Sequence, residues 1–114
     1  MENCLFCKII RGEIPSAKVY EDSLCYAFRD INPQAPVHIL VIPKAHAADS
    51  AAQITAENSA AVAHCFEVIA RIAAQEGLKD GFRVITNAGA AAGQTVPHLH
   101  FHILAGVEMA DKML

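Results

Sequence analysis

The chain has 114 residues, one domain's worth at roughly 100–200 residues per domain. Apolar residues make up 54% and charged residues 18%, which excludes a disordered chain, since disorder goes with few apolar and many charged groups. A net charge of −3 argues against a broad nucleic-acid-binding surface, and no apolar run reaches the roughly 18–20 residues of a membrane span.

The chain opens on Met1-Glu2-Asn3-Cys4, without the basic-then-apolar pattern of a signal peptide. Four cysteines in such a chain point to a reducing, cytoplasmic setting, where a CxxC serves metal or redox chemistry more often than a disulfide. Leu5 to Arg11 reads as one or two helical turns closed by Gly12. Lys18–Asp22 and Leu24–Asp30 read as two strands, and Asn32 to Pro36, with two prolines, as a rigid loop. His38 to Ile42 is a β-branched apolar run and predicts a buried strand stopped by Pro43.

A helix of about 20 residues follows, with Thr55 as N-cap, Glu57 in its first turn and Gly77 as its stop. Val62, Phe66, Ile69 and Ala73 recur at helical spacing and predict its buried stripe. Cys25 and Cys65 fall in a strand and in this helix and read as core, whereas His64 falls off the stripe and reads as solvated. Lys44 reads as a surface charge. Phe82–Asn87 predicts a strand, Ala88 to Val96 a loop of small residues, and Pro97 to Ala105 the last strand. Strands, one long helix and strands again predict an antiparallel α+β domain spanning residues 1–114.

Three of the six histidines alternate along His98-Leu99-His100-Phe101-His102. A period of two puts all three imidazoles on one face of a strand, about 6.6 Å apart, and Leu99, Phe101 and Ile103 on the other. Such a row suits a metal site, or a nucleophile with acid–base partners, because histidine titrates near neutral pH. The loop before it, with Gly89, Gly93, Gln94 and Thr95, offers backbone and neutral side-chain donors to a phosphate. Cys4-Leu5-Phe6-Cys7 is a CxxC that can hold one zinc ion with two further ligands, serve as a redox pair, or remain two apolar thiols.

These residues resemble the histidine triad family, whose signature is His-x-His-x-His with apolar residues between. The resemblance runs through Ile14-Pro15, Phe28 to His38, Leu40-Val41-Ile42-Pro43-Lys44-Ala45-His46, Asn87, and Gly93-Gln94-Thr95-Val96 into the triad. It is strongest with the Hint-type nucleoside phosphoramidase branch. It implies a five-stranded antiparallel sheet with one long and one short helix, and a homodimer that continues the sheet to ten strands. It also implies hydrolysis of purine nucleoside 5′-phosphoramidates. Diadenosine polyphosphate hydrolysis and a nucleotide-binding interaction module stand as alternatives.

By the same resemblance His100 is the nucleophile, His102 holds the phosphate, His38 belongs to the histidine network, and Thr95 lies beside the reacting group. Asn87, Gly93 and Gln94 surround the phosphate and Asp30 takes the ribose hydroxyls. Phe6, Ile9, Ile14, Phe28 and Ile31 line the base pocket. Some bacterial members place a structural zinc ion between residues matching Cys4, Cys7, His46 and His98. The tryptophan that this branch often carries near its C-terminus has no counterpart here, because the chain contains none.

Overall fold

In the computed structural model, residues 3–114 are described; Met1 and Glu2 lie outside the described residues. Five strands, β1 (Lys18–Glu21), β2 (Cys25–Arg29), β3 (Val37–Pro43), β4 (Arg83–Ile85) and β5 (Phe101–Ala105), form one antiparallel sheet in the order β1-β2-β3-β5-β4. A short helix, α1 (Leu5–Ile10), precedes the sheet, and a long helix, α2 (Ser59–Gln75), connects its two halves. The mixed α and β architecture and its antiparallel sheet are those the sequence implies.

Strand alternation divides the interior in two. Cys25, Ala27, Ile39, Val41, Phe101 and Ile103 face α2 and pack with Cys65, Val68, Ile69 and Ile72. Tyr26, Phe28, Leu40 and Ile42 face the other way and pack with Cys4, Phe6, Cys7 and Ile9 of the α1 segment. Each central strand is thus buried on both sides, which is why β3 reads as a continuous apolar run rather than an alternating one.

The stripe of α2 differs from the expected one. Cys65, Val68, Ile69 and Ile72 are the buried positions, Val62 and Ala73 are partly covered, and Phe66 is 48% exposed. Small Cys65 sits at the contact and lets the helix approach the sheet closely, while the larger Phe66 meets Phe101 edge-on from the flank at 5.2 Å between ring centroids. Helix α2 begins at Ser59, not after Thr55. Thr55 instead opens the preceding turn, its hydroxyl accepting from Glu57 N–H, while Asn58 Oδ1 accepts from Thr55 N–H. Gly77 ends the helix as expected: at φ +71° it donates to Ala74 O, and Leu78 N–H donates to Ala73 O. His64 is half-buried and paired, its Nε2 lying 2.8 Å from Asp22 Oδ2, so it is not the solvated residue expected. Lys44 is a surface charge paired with Glu21 at 2.8 Å.

The ladder of the last strand begins at Phe101 rather than Pro97, and that of β4 covers only Arg83–Ile85. Over Val96–His100 the backbone takes other partners: His98 N–H donates to Val96 O and Leu99 N–H to Ala48 O. The alternation of faces survives nonetheless, with Leu99 in the α2-side core and His98 and His100 against Phe6 on the other side.

Candidate active site

On the face away from α2, β3 and β5 bring His38 and His102 together. Their register pairs His38 with Leu104 and Leu40 with His102, so the two histidines are diagonal neighbours on one face. His38 Nε2 lies 2.9 Å from His102 Nδ1, and the His100 and His102 rings stand edge to face with centroids 5.0 Å apart. The three imidazoles form one contiguous group.

Hydrogen-bond partners fix which nitrogen of each ring carries its proton. Gln34 N–H donates to His38 Nδ1 at 3.0 Å, so His38 holds its proton on Nε2 and donates it to His102 Nδ1. His102 in turn keeps its proton on Nε2. His100 Nδ1 lies 2.7 Å from His98 O, which can only accept, so His100 Nδ1 is the protonated nitrogen and Nε2 carries the lone pair. The irregular course over residues 96–100 is what presents His98 O to this ring instead of to a neighbouring strand.

Burial keeps the group neutral. Desolvation pulls His38 and His100 below the ordinary histidine value, against the attraction of Asp30 and, for His100, the hydrogen bond to His98 O. His102 is lowered to about 4, by burial first and then by repulsion from His100 and His38. Asp30 Oδ2 stands 3.4 Å from His38 Nε2, close enough to favour charge there without overcoming the burial.

A cavity of about 810 Å³ opens beside these rings. Its lining includes His100, His102, Thr95, Asp30 and Ile31, and an apolar wall of Phe6, Ile9, Ile14 and Phe28. Phe6 stands edge-on to His100 at 5.0 Å and to Phe28 at 5.7 Å, joining the apolar wall to the histidines. Ile31 is 93% exposed and forms the rim. His38 lies behind His102 rather than on the cavity wall. Asn87, Gly93 and Gln94 are not brought to the cavity lining. Gln94 Nε2 donates to Asp49 O and Val96 O, and its Oε1 accepts from Gly89 N–H, so this side chain pins the loop instead of reaching inward. Gly93 adopts φ +87°, a left-handed turn conformation that glycine enters freely, at the end of a single 3-10 turn, Ala90–Ala92.

Cys4, Cys7, His46 and His98 come together next to the triad, with ligand atoms all within 4.8 Å of one another. His98 Nδ1 is 3.2 Å from Cys4 Sγ and 3.5 Å from Cys7 Sγ, and His46 Nδ1 is 3.6 Å from Cys7 Sγ. Ligands bound at about 2.0–2.3 Å around a four-coordinate ion stand about 3.3–3.8 Å apart, so the spacing suits one metal ion. The orientations suit it too. His98 Nε2–H donates to Pro43 O and His46 Nε2 pairs with Asp49 Oδ1, which turns both Nδ1 lone pairs toward the sulfurs. Burial, with Cys4 beside it, pushes the Cys7 thiol up to about 11, so an ion entering here displaces a proton.

Several contributors escaped the sequence reading: Gln34 N–H, Pro43 O and His98 O act through the backbone, which no side-chain pattern reports. Asp49 follows His46 by three residues and was open to recognition as its carboxylate partner. Ser16, on the cavity wall and 2.7 Å from Tyr26 OH, directly follows the Ile14-Pro15 pair.

Comparison with known proteins gives consistent results. The model of the family described as HIT domain matches residues 11–109. A HIT-like protein of Synechococcus elongatus, itself uncharacterised, is 55% identical over 109 residues, covering 96% of this chain and 95% of the relative. The purine nucleoside phosphoramidase of Escherichia coli K12 is 48% identical over 106 residues, covering 92% of this chain and 88% of that enzyme. Among solved structures, a HIT family hydrolase from Clostridium thermocellum superposes with a TM-score of 0.96 at 47% identity, covering 100% of this chain and 99% of the other. A histidine triad protein from Clostridium difficile gives 0.93 at 50% identity, covering 98% and 97%.

Proposed function

Because the chain belongs to the HIT domain family, we propose that it hydrolyses the P–N bond of purine nucleoside 5′-phosphoramidates, releasing the nucleoside monophosphate and an amine. One observation carries the reading: His100 has its proton committed to His98 O, is kept neutral by burial, and forms part of the cavity wall. A neutral imidazole with a fixed tautomer is a nucleophile at Nε2. That nitrogen attacks the α-phosphorus, the P–N bond breaks, and the leaving nitrogen takes a proton from solvent and departs as amine. Water then attacks the same phosphorus, the P–Nε2 bond breaks, water's proton returns to solvent, and the free ring is restored.

His102, with its proton on Nε2, donates to a phosphate oxygen and holds the group in line. His38 fixes that tautomer from behind. Thr95, also on the cavity wall, supplies a hydroxyl to the reacting group. Asp30 accepts from the ribose hydroxyls, and Phe6, Ile9, Ile14, Phe28 and Ile31 enclose the base. Gly93 and Gln94 shape the loop that carries Thr95, and Asn87 precedes that loop.

Zinc is the ion we assign to Cys4, Cys7, His46 and His98, in a closed structural site that joins α1 to the segment leading into β5. The chemistry requires no metal, since the nucleophile is a side chain. The protein acts as a homodimer in this reading. Phe66 on α2 and Phe82 before edge strand β4, 48% and 40% exposed, offer apolar area for a second copy to cover.

The test is hydrolysis of adenosine 5′-phosphoramidate by the purified protein, with His100→Ala alongside. Turnover lost in the variant while AMP still binds supports the reading. A wild type that binds AMP and leaves the phosphoramidate intact refutes it, and turnover only of a diadenosine polyphosphate replaces it with the other leaving group.

A further inference from the structure

On the opposite side of the sheet lies a second group of reactive side chains that the histidine site does not use. Cys25, on the α2-facing side of β2, and Cys65, in the middle of α2, are both fully buried with their sulfurs 3.6 Å apart. Asp22, Cys25 and His64 also place one oxygen, one sulfur and one nitrogen within 4.8 Å of one another. We propose that Cys25 and Cys65 are a peroxide-sensitive dithiol that closes to a disulfide between β2 and α2. This is independent of the reading of the histidine site.

Three features of the surroundings support this reading. The sulfurs are already in contact, and a disulfide requires closing that gap to about 2.05 Å. The two thiols are not equivalent: Cys25 lies beside His64, whose charged form favours a thiolate there against burial and the Asp22 carboxylate, while burial disfavours one at Cys65. His64 is in turn held toward its charged form by Asp22, whose carboxylate stays below the usual range because hydrogen bonds from His64, Leu24 N–H and Cys25 N–H outweigh its burial. Finally, there is a short way in. Asp22 and His64 are about one quarter exposed (24% and 25%), so the Cys25 sulfur lies one polar layer beneath the surface.

The chemistry balances with peroxide as the sole oxidant. The Cys25 thiolate attacks one peroxide oxygen and the O–O bond breaks, giving a sulfenic acid on Cys25 and hydroxide, which the proton released on forming the thiolate converts to water. Cys65 sulfur then attacks Cys25 sulfur. The S–S bond forms, the S–O bond breaks, and the departing hydroxide leaves as water with the Cys65 proton. Two thiols lose two electrons and two protons, and one peroxide becomes two waters.

Trypsin separates the cysteines cleanly: Cys25 falls in peptide 19–29, Cys65 in peptide 45–71, and Cys4 and Cys7 together in peptide 1–8. The folded full chain is exposed to hydrogen peroxide, quenched, unfolded in N-ethylmaleimide, digested and analysed by mass spectrometry. The expected product is a fused 19–29/45–71 peptide that dithiothreitol splits, with both parent peptides depleted in proportion. A second arm uses Cys65→Ala, checked for folding by circular dichroism, in which dimedone captures a sulfenic acid on Cys25 that the wild type does not accumulate. Recovery of the two wild-type peptides separately, whether alkylated or over-oxidised, overturns the proposal. So does pairing of either cysteine with peptide 1–8. Should the variant fail to fold, the wild-type map alone decides.

Discussion

His100 is useful because of what its neighbours do to its two nitrogens. One is occupied by His98 O, and burial keeps the other unprotonated. Replacement by alanine is expected to lower kcat by at least about 10⁴-fold while AMP binding persists, as measured by single-turnover kinetics and calorimetry. Asp30→Asn acts differently. It weakens the hydrogen bonds a carboxylate accepts from ribose, so binding of a nucleoside monophosphate should fall about tenfold, close to 1.4 kcal/mol, and a 2′,3′-dideoxy analogue should bind both proteins alike. At this scale the histidines were legible in the sequence because a strand's period of two assigns faces without knowledge of the fold. The donors and acceptors that fix their tautomers were not. Gln34 N–H, Pro43 O and His98 O belong to the backbone, and Gln94, whose amide was open to use as a phosphate donor, holds Asp49 O and Val96 O instead.

Among the elements, α1 is the one least able to stand alone. It has six residues and its N-cap acceptor is the Cys4 sulfur, which takes Cys7 N–H at 3.3 Å. An ion held by Cys4, Cys7, His46 and His98 would tie that cap to both histidines, so metal removal with a strong chelator should lower the melting temperature by more than about 10 °C, and His46→Ala should do the same while abolishing zinc stoichiometry by atomic absorption. Helix α2 is held by its packing instead. Ile72→Ala, at a fully buried position, should cost about 2–5 kcal/mol in denaturant unfolding, whereas Phe66→Ala should cost the monomer far less. The existence and direction of α2 could be read from its apolar period and from Gly77. Cys65 and Ile69 are buried as the sequence indicates, but the stripe is rotated away from Phe66, because small Cys65 rather than the larger ring meets the sheet. The start of β5 was misjudged for a related reason: alternation continues through His98 although the ladder does not.

Across the whole molecule, the sheet separates a core facing α2 from a side given over to histidines, sulfurs and the cavity. Burial of that second side lowers His102 to about 4 and His38 below its usual value. An unfolded histidine takes its proton near pH 6.5. Between that value and about 4 the unfolded chain therefore binds more protons than the folded one at His102, so stability contributed there is present above pH 6.5 and is lost as the pH falls toward 4. His64, raised by Asp22, has the opposite sign and another window: its contribution is fully present below about pH 6.5 and is lost as the pH rises above it, so it leaves the slope between 6.5 and 4 unchanged. Urea unfolding at a series of pH values should show the fall, and His64→Gln should lower stability across that range while leaving the slope of the fall unchanged.

The row of imidazoles also has a direction. It begins at an amide, Gln34 N–H, that neither titrates nor turns round, and each ring beyond it passes the same orientation on, from His38 to His102 to the cavity. Such a line works like a one-way valve for hydrogen-bond donation. It always offers a donor at the cavity end, and it can reverse only if the loop holding Gln34 gives way.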